Sequence, residues 1–224
     1  MTTATTDRLQ PEDPAYKGQA DYTPAFLAVY DPLVLGVMNR LVWRCPTSEI
    51  LGLYEDHAAG AHLDVGPGTG YYLDRCPEPP RAITLLDVNP DVLDAASRRL
   101  ARFQPGVHRA NLLEPIALQG GTFDSIALTH VLHCLPGTLA AKSVFFDNLA
   151  PLLRPGGWLF GSTILAGGVP HTPASRALMR FLNRRGVFGN RDDDLATLER
   201  ALATRFADHE VRVVGSVALF AARA

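Results

Sequence analysis

Cysteine is scarce in this chain of 224 residues: Cys45, Cys76 and Cys134 are odd in number and far apart. Their spacing argues against a disulfide framework and a cysteine metal site, and it fits a reducing cytoplasm. Clustered positive charge is also missing. No run of Lys or Arg exceeds two residues (Arg98-Arg99, Arg184-Arg185), and the net charge is −2. Nothing resembles the basic stripe that a phosphate backbone demands, so no nucleic-acid partner is expected. Met1 to Pro14 is Thr-rich, lacks the basic start and apolar run of a signal peptide, and is expected to be disordered. The apolar stretch from Pro24 to Val37 is interrupted at Asp31-Pro32 and is too short to span a bilayer. A soluble, cytoplasmic protein with no membrane partner is the expectation.

What is present is an average globular composition, 47% apolar and 20% charged, on a length that suits one α/β domain with a modest extra element. From Ala61 onward, short apolar runs alternate with amphipathic segments, the pattern of βαβ units and a mostly parallel sheet. Strands are predicted at Ala61–Val65, Ala82–Asp87, Val107–Asn111, Phe123–Thr129 and Trp158–Leu165. Asn89-Pro90 predicts a helix to about Phe103, and a second runs from Thr138 to Leu153, stopped by Arg154-Pro155-Gly156-Gly157. Thr172-Pro173 caps a helix through Arg184, and Asp192-Asp193-Asp194 starts another. Val211–Val214 and Val217–Ala222 form a closing hairpin around Gly215-Ser216. The expected fold is a Rossmann-like, mostly parallel seven-stranded sheet ending in an antiparallel hairpin. It divides into a helical N-terminal cap (15–58), a main domain (59–224) and a helical insertion after strand five (about 167–190).

The chemistry concentrates in Asp64-Val65-Gly66-Pro67-Gly68-Thr69-Gly70 at the end of the first strand. A dinucleotide site wants G-x-G-x-x-G, with its third glycine where this chain has Tyr71. No Walker lysine follows, which disfavours P-loop phosphate binding. A ligand without phosphate needs room at the turn, and a carboxylate beside it to orient the loop amides or meet an ammonium group. Asp64 fits that need.

On these residues the chain resembles the class I methyltransferases that use S-adenosylmethionine, over roughly Ala61 to Ala222. Asp64, Gly66, Gly68 and Gly70 match the family's first motif. Asp87, followed by Val88, stands where an acid accepts from both ribose hydroxyls. Asn111-Leu112 replaces the usual Asp-apolar pair beside the adenine, and Leu153–Gly157 is similar to the turn before strand five. The resemblance implies S-adenosylmethionine as cofactor, with Thr129 also beside it, and a small-molecule acceptor. The Asn/Asp-Pro-Pro-aromatic tetrad of nucleobase and glutamine N-methyltransferases is absent, since Thr129-His130-Val131-Leu132-His133-Cys134 occupies its place. The divalent-metal signature of catechol methyltransferases is missing too, so no metal is expected.

His133 is the candidate base or substrate orienter, with His130 beside it. Tyr22, Tyr30 and Trp43 are candidate pocket walls, and His171, with Arg184 and Arg185, is a candidate holder of a substrate anion. O-methylation of a carboxylic acid or hydroxyl in secondary metabolism is the leading function. Nitrogen or carbon acceptors are the alternative within the fold. A non-catalytic cofactor-binding partner subunit is the alternative outside it, which a long exposed apolar patch on the N-terminal helices would favour. A monomer or homodimer is expected.

Overall fold

The computed structural model describes residues 18–19, 22–118 and 122–224. The expectation of disorder over Met1–Pro14 lies outside them. The sheet has seven strands: β1 (Ala61–Val65), β2 (Ala82–Asp87), β3 (Gly106–Arg109), β4 (Phe123–Thr129), β5 (Leu153–Ile164), β6 (Asp208–Val214) and β7 (Val217–Arg223). Their order is β3-β2-β1-β4-β5-β7-β6. β1 to β5 are parallel to their neighbours, whereas β7 runs antiparallel to both β5 and β6. The order reverses between β1 and β4. Open α/β sheets bind ligands at such a switch point, beyond the strands' carboxyl ends.

The helices are α1 (Pro24–Tyr30), which continues as a π-helix (Asp31–Val42), then α2 (Thr47–His57), α3 (Tyr71–Arg75), α4 (Pro90–Arg99), α5 (Leu139–Lys142), α6 (Val144–Leu149), α7 (Pro173–Arg185) and α8 (Leu195–Ala203). The local signals work as expected at several ends. Asn89 accepts from the Asp91 amide, Thr172 and Ser175 form a capping box, and Asp194 accepts from the Thr197 amide. Two apolar layers flank the sheet, one around Tyr54, Leu85 and Phe160, the other around Leu63, Phe146 and Phe220.

Four local expectations need correction. Asp31-Pro32 does not interrupt the first helix: at these residues the winding changes from α to π, and the chain continues through the proline. Pro24–Val42 is therefore continuous: its 19 residues and hydropathy of 1.4 make it long and apolar enough to cross a membrane by length and composition. In this structure Tyr30 and Leu35 pack into the core while Val29, Leu33, Val37 and Leu41 form an exposed row. The helix expected from Thr138 to Leu153 is broken at Ser143, whose hydroxyl donates to the Ala140 carbonyl, so α5 and α6 are separate. Arg154-Pro155-Gly156-Gly157 lies within β5, where Gly156 and Gly157 exchange backbone hydrogen bonds with Ala224. β3 ends at Arg109, two residues early, because Asn111 enters a turn in which its side chain accepts from the Leu113 amide.

Candidate functional site

A cleft opens at the switch point, lined by the β1 loop at Gly66 and Gly68, by Asp87 and Val88 after β2, and by Thr129 and His130 after β4. The three loop glycines have different tasks. A Cβ on Gly66 would meet Val131 at 2.3 Å, and one on Gly70 would press on Leu100 at 3.2 Å, so both are packing requirements. Gly68 differs. Its φ is +56°, and a Cβ there would find open space, with only Tyr30 at 3.9 Å. That opening is the space a ligand has to enter.

Asp87 is half-buried at the end of β2 and accepts from the Asn89 amide at 2.7 Å. Burial raises its pKa to about 6, against the pull of the Asn89 and Val88 amides. Asn111 and Leu112 also line the cleft. The Asn111 amide oxygen already accepts from Leu113 at 3.1 Å and its nitrogen donates to Glu114 at 3.0 Å, which leaves one lone pair and one N–H to offer. Among the described residues no Lys or Arg lines the cleft. A phosphate would find no counter-charge, while a cationic, phosphate-free nucleoside would meet a carboxylate and open space at the glycine turn. The residues present therefore fit S-adenosylmethionine.

The N-terminal segment reaches over this cleft. Gly18, Gln19, Tyr22 and Tyr30 line it, and the Asn89 side chain donates to the Gln19 and Tyr22 carbonyls at 3.0 and 3.3 Å. Asp31 accepts from Thr69 and Arg99, both at 2.6 Å, which anchors the same helix to the glycine loop and α4. Tyr22, Tyr30 and Cys134 meet at the inner wall. Burial raises both phenols and pushes the Cys134 thiol up to about 12, so all three are protonated at neutral pH. Gln19, Asn89 and Cys134 were not found from sequence. Asn89 carried a visible signal as a helix cap, but its second task depends on a segment 67 to 70 residues away.

Asp64 does not line the cleft. It is buried behind the loop, where it accepts from the Tyr54 hydroxyl at 3.0 Å, and Tyr54 in turn contacts Thr129 at 3.2 Å. Burial raises Asp64 to about 7, with Tyr54 opposing. Its place is to brace β1 against β4 under the glycine turn. Trp43 is buried beside Phe188, with ring centroids 6.0 Å apart, and it too is outside the cleft. His171 and the rest of the insertion do not reach the cleft either; they line a second cavity.

The two histidines after β4 differ more than their spacing suggests. His133 Nδ1 accepts from the Ile164 amide at 3.3 Å, so the neutral ring carries its proton on Nε2. Burial lowers its pKa well below the usual value, with His130 and Lys142 adding to the effect. His133 is thus a donor without a free lone pair, and it does not line the cleft. His130 does. It adopts the left-handed backbone conformation, φ +57°, which is uncommon for a residue with a side chain. Neither of its buried ring nitrogens has a hydrogen-bond partner among the described residues, and burial lowers its pKa to about 4.

Residues 63–159 match the family model of the methyltransferase domain. Demethylluteothin O-methyltransferase of Streptomyces thioluteus is 37% identical over 99% of this chain and 98% of its own length. The chain belongs to the class I S-adenosylmethionine-dependent methyltransferases.

A second relative, the N-methyltransferase vrtF of Penicillium aethiopicum, is 34% identical over 99% of this chain and 94% of its own. In fold, the methyltransferase is similar to the solved structure of DhpI in complex with SAH, with a TM-score of 0.68, 15% identity, and coverage of 96% of this chain and 98% of the other. For this methyltransferase, replacing Gly68 with Val should abolish cofactor binding, because the branched side chain occupies the opening and strains a positive φ. Calorimetric titration of a folded Gly68→Val variant checks this; ordinary affinity would remove the loop from the site.

Proposed function

We propose that this small-molecule methyltransferase acts on an oxygen, a carboxylate or an acidic hydroxyl of a secondary metabolite, as a soluble cytoplasmic enzyme. We propose further that His130, rather than His133, faces the acceptor. The observation that carries this reading is that both histidines at the transfer edge are held neutral by burial. An imidazole with a pKa near 4 is a weak base. It suits an acceptor that arrives ionised, not an ammonium that has to lose a proton first.

Bound S-adenosylmethionine supplies a methyl group made electrophilic by the sulfonium. The protein's part is to align the acceptor oxygen and keep out water, which can account for most of the acceleration in an in-line displacement. Asp87, Val88, Asn111, Leu112 and the Gly68 turn hold the nucleoside end. Tyr22 and Tyr30 close the cleft over it, and a partnerless His130 nitrogen gives the acceptor oxygen a hydrogen bond. The N-terminal segment through Tyr30 should gain hydrogen-exchange protection when the cofactor product binds.

The single-turnover rate should stay flat from about pH 6 to 8, because His130 is neutral throughout and the acceptor needs no deprotonation. His130→Asn should lower that rate roughly 10- to 100-fold through misalignment, without changing the profile. A rise through about pH 6.5 that vanishes in the variant would make His130 a base and the acceptor a protonated nucleophile. Mass and NMR analysis of the product reads the acceptor atom directly. An N-methyl or C-methyl product overturns the oxygen reading.

The exposed row of Val29, Leu33, Val37 and Leu41 favours a homodimer over a monomer. A non-catalytic partner subunit would carry such a row as well, but it has no need of the intact Gly68 turn and Asp87.

A further inference from the structure

The second cavity, about 520 Å³, lies between α7 and the end of β5 and carries a charge opposite to that of the cleft. Arg176, Arg180 and Arg184 recur every four residues, which places them on one face of α7. Arg191 joins them from the loop that follows, and His171 from the turn that precedes. Among the described residues no carboxylate lines this cavity. None of the four arginines has an ion-pair partner among the described residues. The floor of the cavity is tied down: Asn183, which lines it, donates to the Asn190 side chain at 2.8 Å, and Asn190 donates to the Ile164 carbonyl at 2.9 Å. The guanidiniums are therefore presented on a fixed helix.

Four like charges around one concavity repel each other, and the helix would gain by spreading them. We propose that this cavity is an anion site that takes a multiply charged phosphate group, the monoester or diphosphate end of a small molecule. Guanidinium forks match phosphate oxygens two at a time, and a single carboxylate would neutralise only one of the four. The strand order sets the site's place: Asp87 on β2 and Ala166 after β5 lie on opposite sides of His130, which follows β4. Through Asn183, Asn190 and Ile164 the cavity wall leads to the Nδ1 of His133. The site is thus on the acceptor side of the edge and separate from the cofactor's cleft.

Calorimetric titration of the full chain with pyrophosphate, citrate and acetate tests this without any methyl transfer, so its outcome is independent of which atom is methylated. Pyrophosphate should bind saturably at low ionic strength and weaken as salt is raised. The double variant Arg180→Gln/Arg184→Gln should weaken that binding at least tenfold and leave S-adenosylmethionine affinity unchanged, since neither residue lines the cleft. Acetate should not compete. Absence of saturable pyrophosphate binding, or equal binding by the folded double variant, overturns the site. Citrate binding as tightly as pyrophosphate overturns the phosphate assignment and makes the site one for polycarboxylates.

Discussion

Replacing Lys142 with Ala should cost about 3–5 kcal/mol of stability. Lys142 Nζ lies 2.6 Å from Asp193 Oδ2, and both side chains are wholly buried. The ammonium also donates to the Gly189 and Leu135 carbonyls, at 3.0 and 3.3 Å. Burial draws the lysine's pKa down and the aspartate's up, while their mutual attraction opposes both shifts. Truncating the lysine leaves the buried Asp193 carboxylate without its counter-charge and the two carbonyls without this donor, which is where the penalty arises. In a domain of this size the midpoint of thermal unfolding should fall by roughly 6–20 °C. Calorimetry of Lys142→Ala beside the double variant Lys142→Met/Asp193→Leu checks this, because the apolar pair removes both charges together and should recover much of the loss. A shift below about 3 °C for Lys142→Ala would mean that the pair holds nothing together. The consequence reaches the site: the pair joins α5 to the loop before α8, and in that loop the Gly189 amide donates to the His133 carbonyl at 2.8 Å.

Asp87→Ala should weaken S-adenosylmethionine binding about 10²- to 10³-fold while leaving the protein folded. Two hydrogen bonds to a carboxylate, each worth roughly 1.5–3 kcal/mol, set that scale when some non-additivity is allowed. The aspartate also accepts from the Asn89 amide, and Asn89 ties down the segment at Gln19 and Tyr22. Part of the loss should therefore appear as a looser N-terminal cover. Ionised Asp87 accepts from both hydroxyls more strongly than the protonated acid, which gives up part of its acceptor capacity to its own O–H, so wild-type affinity should decline as the pH falls through about 6. Titration at pH 5 and pH 7.5 measures both effects. Wild-type affinity in a folded Asp87→Ala variant would move the ribose elsewhere.

Much of the fold was legible because its signals are local. β1, β2 and β4 occupy the residues that their apolar runs marked, and Asn89, Thr172 and Asp194 cap the helices that their side chains announce. Gly66, Gly68 and Asp87 stand where a strand end meets a turn, and a strand end is readable from sequence. The misreadings share a cause. The triple Asp192-Asp193-Asp194 reads as one helix start, yet only Asp194 caps; Asp193 turns inward to a lysine 51 residues earlier in the chain. Asp64 reads as a ligand and instead braces Tyr54. His133 reads as the candidate base with His130 beside it, yet the His133 ring receives a backbone amide and the His130 ring receives none among the described residues. Trp43 reads as a pocket wall and belongs to the core.

The sequence by itself determined the sheet, the cofactor edge and the family, because capping, strand alternation and glycine turns act over a few residues. The tertiary structure alone decided which histidine faces the cleft, which aspartate is buried and where the arginines of α7 converge. Those outcomes depend on desolvation and on partners brought together from distant parts of the chain, and neither is encoded in the spacing of neighbours.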